Sequence, residues 1–260
     1  MKLRLILRCV IIVLVAVIGY SGFKLQDIRQ EYTREAEMHS RLLQYRPQPT
    51  MHVTSASLTP STEFAELPEQ PTQLVVNQSL IDLQAVYPDI VGWLTIPNTQ
   101  IDYPFVQSHD NDFYLRRDLD QNVAQAGTIF MDYRNNSDFS DFNTIIFGHN
   151  MRNGSMFGTI KNFNDQTFFD TNRTGTIFLA NEIYEIEIMA FAVIKPDDRI
   201  IYNPNIATKE DKLIFLEYVK GTARYYKDIS VTATDRIVTF STCSYEFNDA
   251  RMVIIGKLVN

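Results

Sequence analysis

Cysteine, histidine and glycine are all scarce in this chain, and each shortage closes off a class of protein. Only two cysteines occur among 260 residues, Cys9 and Cys243. Cys9 lies inside an apolar N-terminal run and is no plausible disulfide partner for Cys243, so a disulfide framework is excluded. One cysteine outside that apolar run and four scattered histidines provide no metal-ligand pairs, and no acidic array has the spacing of a calcium loop. No glycine-rich phosphate loop and no G-x-S-x-G elbow is present, so neither metal nor cofactor is expected. Basic residues number 24 against 31 acidic ones, for a formal charge of -7, which gives a nucleic-acid groove no support. Mild acidity fits cationic partners such as free amines, and it equally fits plain solubility.

Long hydrophobic runs are also rare; one occurs, at the N-terminus. Lys2, Arg4 and Arg8 precede an uncharged stretch over 9–23. Fifteen residues at about 1.5 Å each give about 22 Å, short of the ~30 Å hydrocarbon core, but residues 5–7 extend the span if Arg8 snorkels. The basic flank predicts a cytoplasmic N-terminus and an exported remainder. A cleaved signal peptide is the rival reading, with Gly19 and Ser21 as a weak small-x-small site. Bulky Tyr20 and Phe23 look more like an interfacial anchor. The resulting division is a cytoplasmic tail over 1–8, a transmembrane signal-anchor over 9–24, and an amphipathic stalk helix over 25–45. The helix is read from Leu25, Ile28, Tyr32, Ala36, His39 and Leu43. A spacer follows over 46–76, rich in Pro, Ser and Thr and unable to bury a core. A folded domain fills 77–260.

That domain reads as mostly β, in the α+β class. Pro88 ends a short helix over 80–87, capped by Ser79. Runs at 91–96, 100–106, 127–131, 143–148, 176–180, 183–194, 229–243 and 252–259 are rich in Ile, Val, Thr, Phe and Tyr. Along 183–194, even-numbered apolar positions from Tyr184 to Ile194 alternate with Glu185 and Glu187, which predicts one buried face. Half-buried strands of this kind imply a barrel or sandwich. Helical interruptions are expected over 155–163 and 208–223, the second with Leu213, Leu216 and Val219 inward.

Alternation also organises the candidate chemistry. Ile237, Thr239, Ser241 and Cys243 share one face, and Val238, Phe240 and Thr242 the other. If 244–250 forms a hairpin loop, in-register pairing sets Cys243 opposite Arg251. A guanidinium stays charged at any working pH, so Arg251 is no base; it can lower a thiol pKa or stabilise an oxyanion. Spacing alone fits equally a structural cysteine beside a solvent-facing arginine. Of the histidines, His39 and His52 lie in the stalk and spacer, and His109 in a polar turn. His149 follows the β run TIIFG, which puts an imidazole at a strand end. A cysteine nucleophile needs such a proton partner to release an amine.

Together, TFSTC at 239–243, Arg251 opening the next strand and FGHNM at 147–151 resemble the catalytic blocks of sortases, the cysteine transpeptidases of Gram-positive cell surfaces. VGWLTIPNTQIDYPFVQ at 91–107, NDFYL at 111–115, GTIFMDYRN at 127–135 and NTIIFGHNMRNGSMFG at 143–158 resemble class B sortases in unbroken order. The resemblance implies a closed eight-stranded barrel with N-terminal helices and an extra helix before the cysteine strand. It implies that Cys243 attacks a threonine carbonyl in a C-terminal sorting signal to form a thioacyl enzyme. In that scheme Arg251 stabilises the oxyanion, and His149 protonates the departing amine. It makes Asn111, Ser241, Thr242, Ile201 and Tyr202 candidate substrate contacts. The implied partners are surface proteins bearing the signal, and a peptidoglycan precursor or cross-bridge amine, or a pilin lysine. Two alternatives stand beside it: another secreted cysteine peptidase, and a non-catalytic β-domain adhesin. An L,D-transpeptidase would place its histidine within a few residues of the cysteine, whereas here the two are 94 positions apart (243 − 149).

Overall fold

A computed structural model describes residues 2–48, 76–243 and 249–259. Residues 49–75 of the expected spacer and 244–248 of the expected hairpin loop lie outside them. The chain divides into two units, Met1–Gln44 and Tyr45–Asn260.

The first unit is dominated by a single helix, α1 (Lys2–Leu42). It is long and apolar enough to cross a membrane. The anchor and stalk read separately in the sequence are therefore one uninterrupted element. No proline falls between them to force a break.

In the second unit, α2 (Gln78–Val86) is followed by β1 (Ile90–Thr95), β2 (Asp102–Gln107), β3 (Phe130–Met131) and β4 (Asn143–Phe147). Next come α3 (Gln166–Thr171), β5 (Thr174–Phe178), β6 (Ile183–Ile194), α4 (Lys209–Thr222), β7 (Tyr225–Tyr226), β8 (Arg236–Cys243) and β9 (Arg251–Val259). Asn77, not Ser79, occupies the α2 N-cap position, and its side chain donates to the Leu179 carbonyl instead of capping. The interruption expected over 155–163 forms later, as a 3-10 turn at Ile160–Asn164 and then α3.

Eight strands close in the order β5-β1-β2-β3-β4-β8-β9-β6 and back to β5, with the two-residue β7 appended to β6. Most neighbours are antiparallel; β2–β3 and β4–β8 are parallel. The interior is filled by Leu94, Phe105, Ile146, Phe157, Phe191, Phe240 and Ile254, among others. A second apolar layer lies on the outside of β6, β8 and β9, where Ala192, Ile194, Ile237, Val253 and Ile255 pack with Phe215 and Val219 of α4.

Two expectations are corrected by this packing. The ladder between β6 and β9 shifts register between Ile188 and Ala190. Tyr184, Ile186 and Ile188 join the interior before the shift, and Phe191 does so after it, while Ala190, Ala192 and Ile194 move to the outer layer. A bulge inserts one residue and so exchanges the faces of everything beyond it. The single buried face read along 183–194 is thus two half-faces. On α4 the inward residues are Phe215 and Val219, with Leu216 partly covered and Leu213 exposed. Phe215 sets the phase by meeting Phe142 edge to face, ring centroids 5.7 Å apart. Thr208 fixes the helix start by accepting from the Asp211 amide at 3.1 Å.

Candidate active site

The parallel β4–β8 pair builds the site. Its register runs from Asn143↔Ile237 to Phe147↔Ser241, and the Gly148 amide carries it one step further by donating to the Ser241 carbonyl at 3.1 Å. One more position along each strand are His149 and Cys243. On the other side of β8, Cys243 pairs with Arg251 in the antiparallel ladder to β9. The register expected from alternation is therefore the register formed. It brings the positions of the thiol, imidazole and guanidinium to one end of three adjacent strands.

Close packing fixes the approach to His149. A Cβ on Gly148 would fall 2.8 Å from the fully buried Phe157 ring, so only glycine lets β4 run this close. The Phe157 amide donates to the His149 carbonyl at 3.0 Å. The half-buried imidazole meets the Leu115 carbonyl through Nε2 at 2.6 Å. A carbonyl only accepts, so Nε2 carries hydrogen in this contact and Nδ1 is the nitrogen left to exchange a proton. Leu115 sits in a tight turn over which Gly127 folds with φ +56°; a Cβ there would strike the Leu115 carbonyl at 2.5 Å. Arg251 donates through one Nη to the carbonyls of Asp249 (2.8 Å) and Ala250 (3.2 Å).

An open groove of about 330 Å³ runs past these residues, lined by Asn111, Leu115, His149, Tyr202, Ser241, Thr242 and Arg251, with Phe130, Phe147 and Pro196 as apolar walls. Tyr202 and Ser241 share a hydroxyl–hydroxyl bond of 2.8 Å. Thr242 is 2% exposed, and its hydroxyl has no hydrogen-bond partner among the described residues. Four of the five residues expected to touch substrate therefore reach the groove. Ile201 does not: it is fully buried in the layer beneath α4. Neighbours in a loop point in different directions, and the sequence had no period there to separate Ile201 from Tyr202.

Two groove residues given no role from the sequence are Asp132 and Arg134. Asp132 Oδ1 accepts from Arg134 Nε at 2.9 Å and Oδ2 from Arg134 Nη2 at 2.6 Å. Burial opposes the Asp132 charge, but the bonds from Arg134 and Asn111 outweigh it and hold the carboxyl below its ordinary range. The same pairing pushes the Arg134 guanidinium upward against partial burial. Both lie in GTIFMDYRN, and the Asp-x-Arg spacing after a strand was the available signal.

A closed eight-stranded barrel that brings the positions of Cys243, His149 and Arg251 to the ends of adjacent strands fits a cysteine acyl-transfer enzyme. A Sortase domain model matches residues 94–259. The chain is 43% identical over 188 residues to Sortase B of Listeria monocytogenes, covering 71% of this chain and 75% of that protein. The crystal structure of sortase B from B. anthracis in complex with AAEK1 superposes with a TM-score of 0.73 at 31% identity, covering 89% of this chain and 99% of that one. A Staphylococcus aureus sortase B–substrate complex gives 0.66 at 27% identity over 71% and 86%. The chain belongs to the sortase family, in class B, and is a cysteine transpeptidase. The adhesin alternative is thereby set aside, as is a peptidase of another fold.

Proposed function

We propose that this enzyme cleaves a C-terminal sorting signal after threonine and transfers the threonine carbonyl to an amine of the cell wall or to a pilin lysine. The observation that carries the proposal is the pairing of Cys243 with Arg251 beside the strand that delivers His149. The Cys243 thiolate attacks the threonine carbonyl carbon, forming a C–S bond and an oxyanion that Arg251 stabilises. Collapse breaks the C–N bond while His149 gives its proton to the departing amine, leaving a thioester. An incoming amine then attacks the thioester, His149 takes the amine proton, and the thiolate is released. Asn111, Tyr202, Ser241 and Thr242 hold the signal peptide in the groove.

The family acts at the cell surface, and Lys2, Arg4 and Arg8 orient α1 with its N-terminus in the cytoplasm. Intact cells should therefore expose Cys243 to a membrane-impermeant thiol reagent, and the protein should stay with membranes after a high-salt wash. Detergent-solubilised full-length chain should be offered fluorogenic peptides carrying threonine at the scissile position, with and without primary amines. Mass spectrometry should find cleavage after threonine and amide-linked product when amine is present. Hydrolysis alone across a wide amine panel, with a mature N-terminus near Gly22, would identify a secreted cysteine protease.

A further inference from the structure

Asn111 and Tyr202 reach the groove from distant segments, one after β2 and the other before α4, yet one buried carboxylate organises both. Asp132 is fully buried. Its Oδ2 accepts from Asn111 Nδ2 at 3.2 Å as well as from Arg134 Nη2, and its Oδ1 accepts the Arg134 amide at 3.0 Å as well as Nε. Arg134 Nη2 reaches on to the Tyr202 carbonyl at 3.1 Å. Tyr202 in turn meets Ser241 on the cysteine strand. The Asp132 end is tied down from behind, because its amide donates to the Ile145 carbonyl at 2.9 Å and its carbonyl accepts from Gln107 Nε2 at 2.9 Å. The Tyr133 amide donates to Asn111 Oδ1 at 3.1 Å, so Asn111 is gripped at both ends of its amide.

We infer that Asp132 and Arg134 form a brace that sets the spacing of the groove walls, with Arg134 as a positioning residue for the sorting-signal peptide. A bare structural ion pair would need only the two charges. This one spends its fork on both carboxylate oxygens and still delivers a donor to a main-chain carbonyl of the segment that carries Tyr202, which only a planar guanidinium can do. Neither residue stands at the strand end with Cys243, His149 and Arg251, so the brace acts on binding and leaves bond making alone. It rests on the proposed function, because only a groove that holds the signal peptide has walls whose spacing matters.

The test uses full-length chain in detergent and the threonine-containing peptide that wild type cleaves best. Arg134→Lys keeps the charge but reaches either the carboxylate or the Tyr202 carbonyl, not both. KM for the peptide should rise about tenfold with kcat within twofold of wild type, and the pH profile of kcat and the rate of Cys243 alkylation should be unchanged. Arg134→Gln should raise KM further. Asp132→Asn frees Arg134 and loosens Asn111, so its KM penalty should not add to that of Arg134→Lys in the double variant. If Arg134→Lys folds and cleaves with wild-type KM, or loses kcat with KM intact, the brace is refuted while the transpeptidase reading stands. Independent, additive penalties in the double variant would also refute it. A wild-type chain that cleaves no threonine peptide overturns the proposed function and the brace together.

Discussion

Asn143 offers the most quantitative perturbation in the domain. Its side chain is fully buried on β4 and makes three bonds: Nδ2 donates to the carbonyls of Ile201 (3.0 Å) and Asn203 (3.1 Å), and Oδ1 accepts from the Thr239 hydroxyl at 2.8 Å. Asn143→Ala removes all three and leaves the fully buried Thr239 hydroxyl and the Ile201 carbonyl without these partners. At about 1 kcal/mol net per bond, and more for a group orphaned in the interior, the loss should be about 3–4 kcal/mol. For a domain of this size that lowers Tm by roughly 6–16 °C. Thr239→Val breaks one bond and orphans one acceptor, so about 1–2 kcal/mol is expected. Urea unfolding followed by the buried Trp93 measures both. Because the two carbonyls belong to the segment that carries Tyr202, Asn143→Ala should also raise KM for the signal peptide. A stability loss below about 1 kcal/mol would refute the claim that this amide pins the segment to the barrel.

Cys243→Ala should abolish peptide cleavage and a hydroxylamine-sensitive thioacyl adduct while leaving the unfolding transition in place; retained turnover would end the transpeptidase reading. Arg251→Lys keeps the charge without the planar fork, so turnover should fall on the order of a hundredfold, as for loss of an oxyanion donor, and unchanged kinetics would make Arg251 a surface residue. Acid stability should separate wild type from Asp132→Asn. The folded carboxyl is held below its ordinary value, so its contribution is complete above about pH 4–5 and disappears as pH falls through the lowered value. The gap in unfolding free energy should be flat from pH 7 to about 5 and shrink below about 4, and a gap that widens in acid would contradict the sign.

The parts of the site that follow from local periodicity were legible in the sequence. Two-residue alternation along 237–243 and from 251 onward fixed the Cys243↔Arg251 pair, since a slip of one residue would have turned Val238 and Phe240 out of the core. His149 was legible because a strand pattern ends just before it. The bulge in β6 was not, because an inserted residue leaves no mark in a stretch where both parities are apolar, as in Met189 to Val193. The phase of α4 is not set by the local pattern, because Leu213 and Phe215 compete for the inward stripe and only the position of Phe142 decides between them. Asp132 and Arg134 escaped notice for a different reason. Two residues apart in a turn, they look like solvated charges until Asn111 and Tyr202 arrive from distant segments to give them a role.

The parallel pairing of β4 with β8 joins residues 94 positions apart, as in Asn143↔Ile237 (237 − 143), whereas β1, which carries Trp93, closes on β2 through partners as near as Thr95↔Asp102. Loop-closure entropy makes the first kind of contact slow to form and the second fast. A chain delivered N-terminus first thus folds its lone tryptophan into a hairpin long before histidine and cysteine meet. On refolding from urea, Trp93 fluorescence should recover ahead of peptide-cleaving activity, and simultaneous recovery would contradict this order. Until then the Cys243 position has no partner strand on either side, and the arrangement around it is complete only when β8 and β9 have closed the barrel.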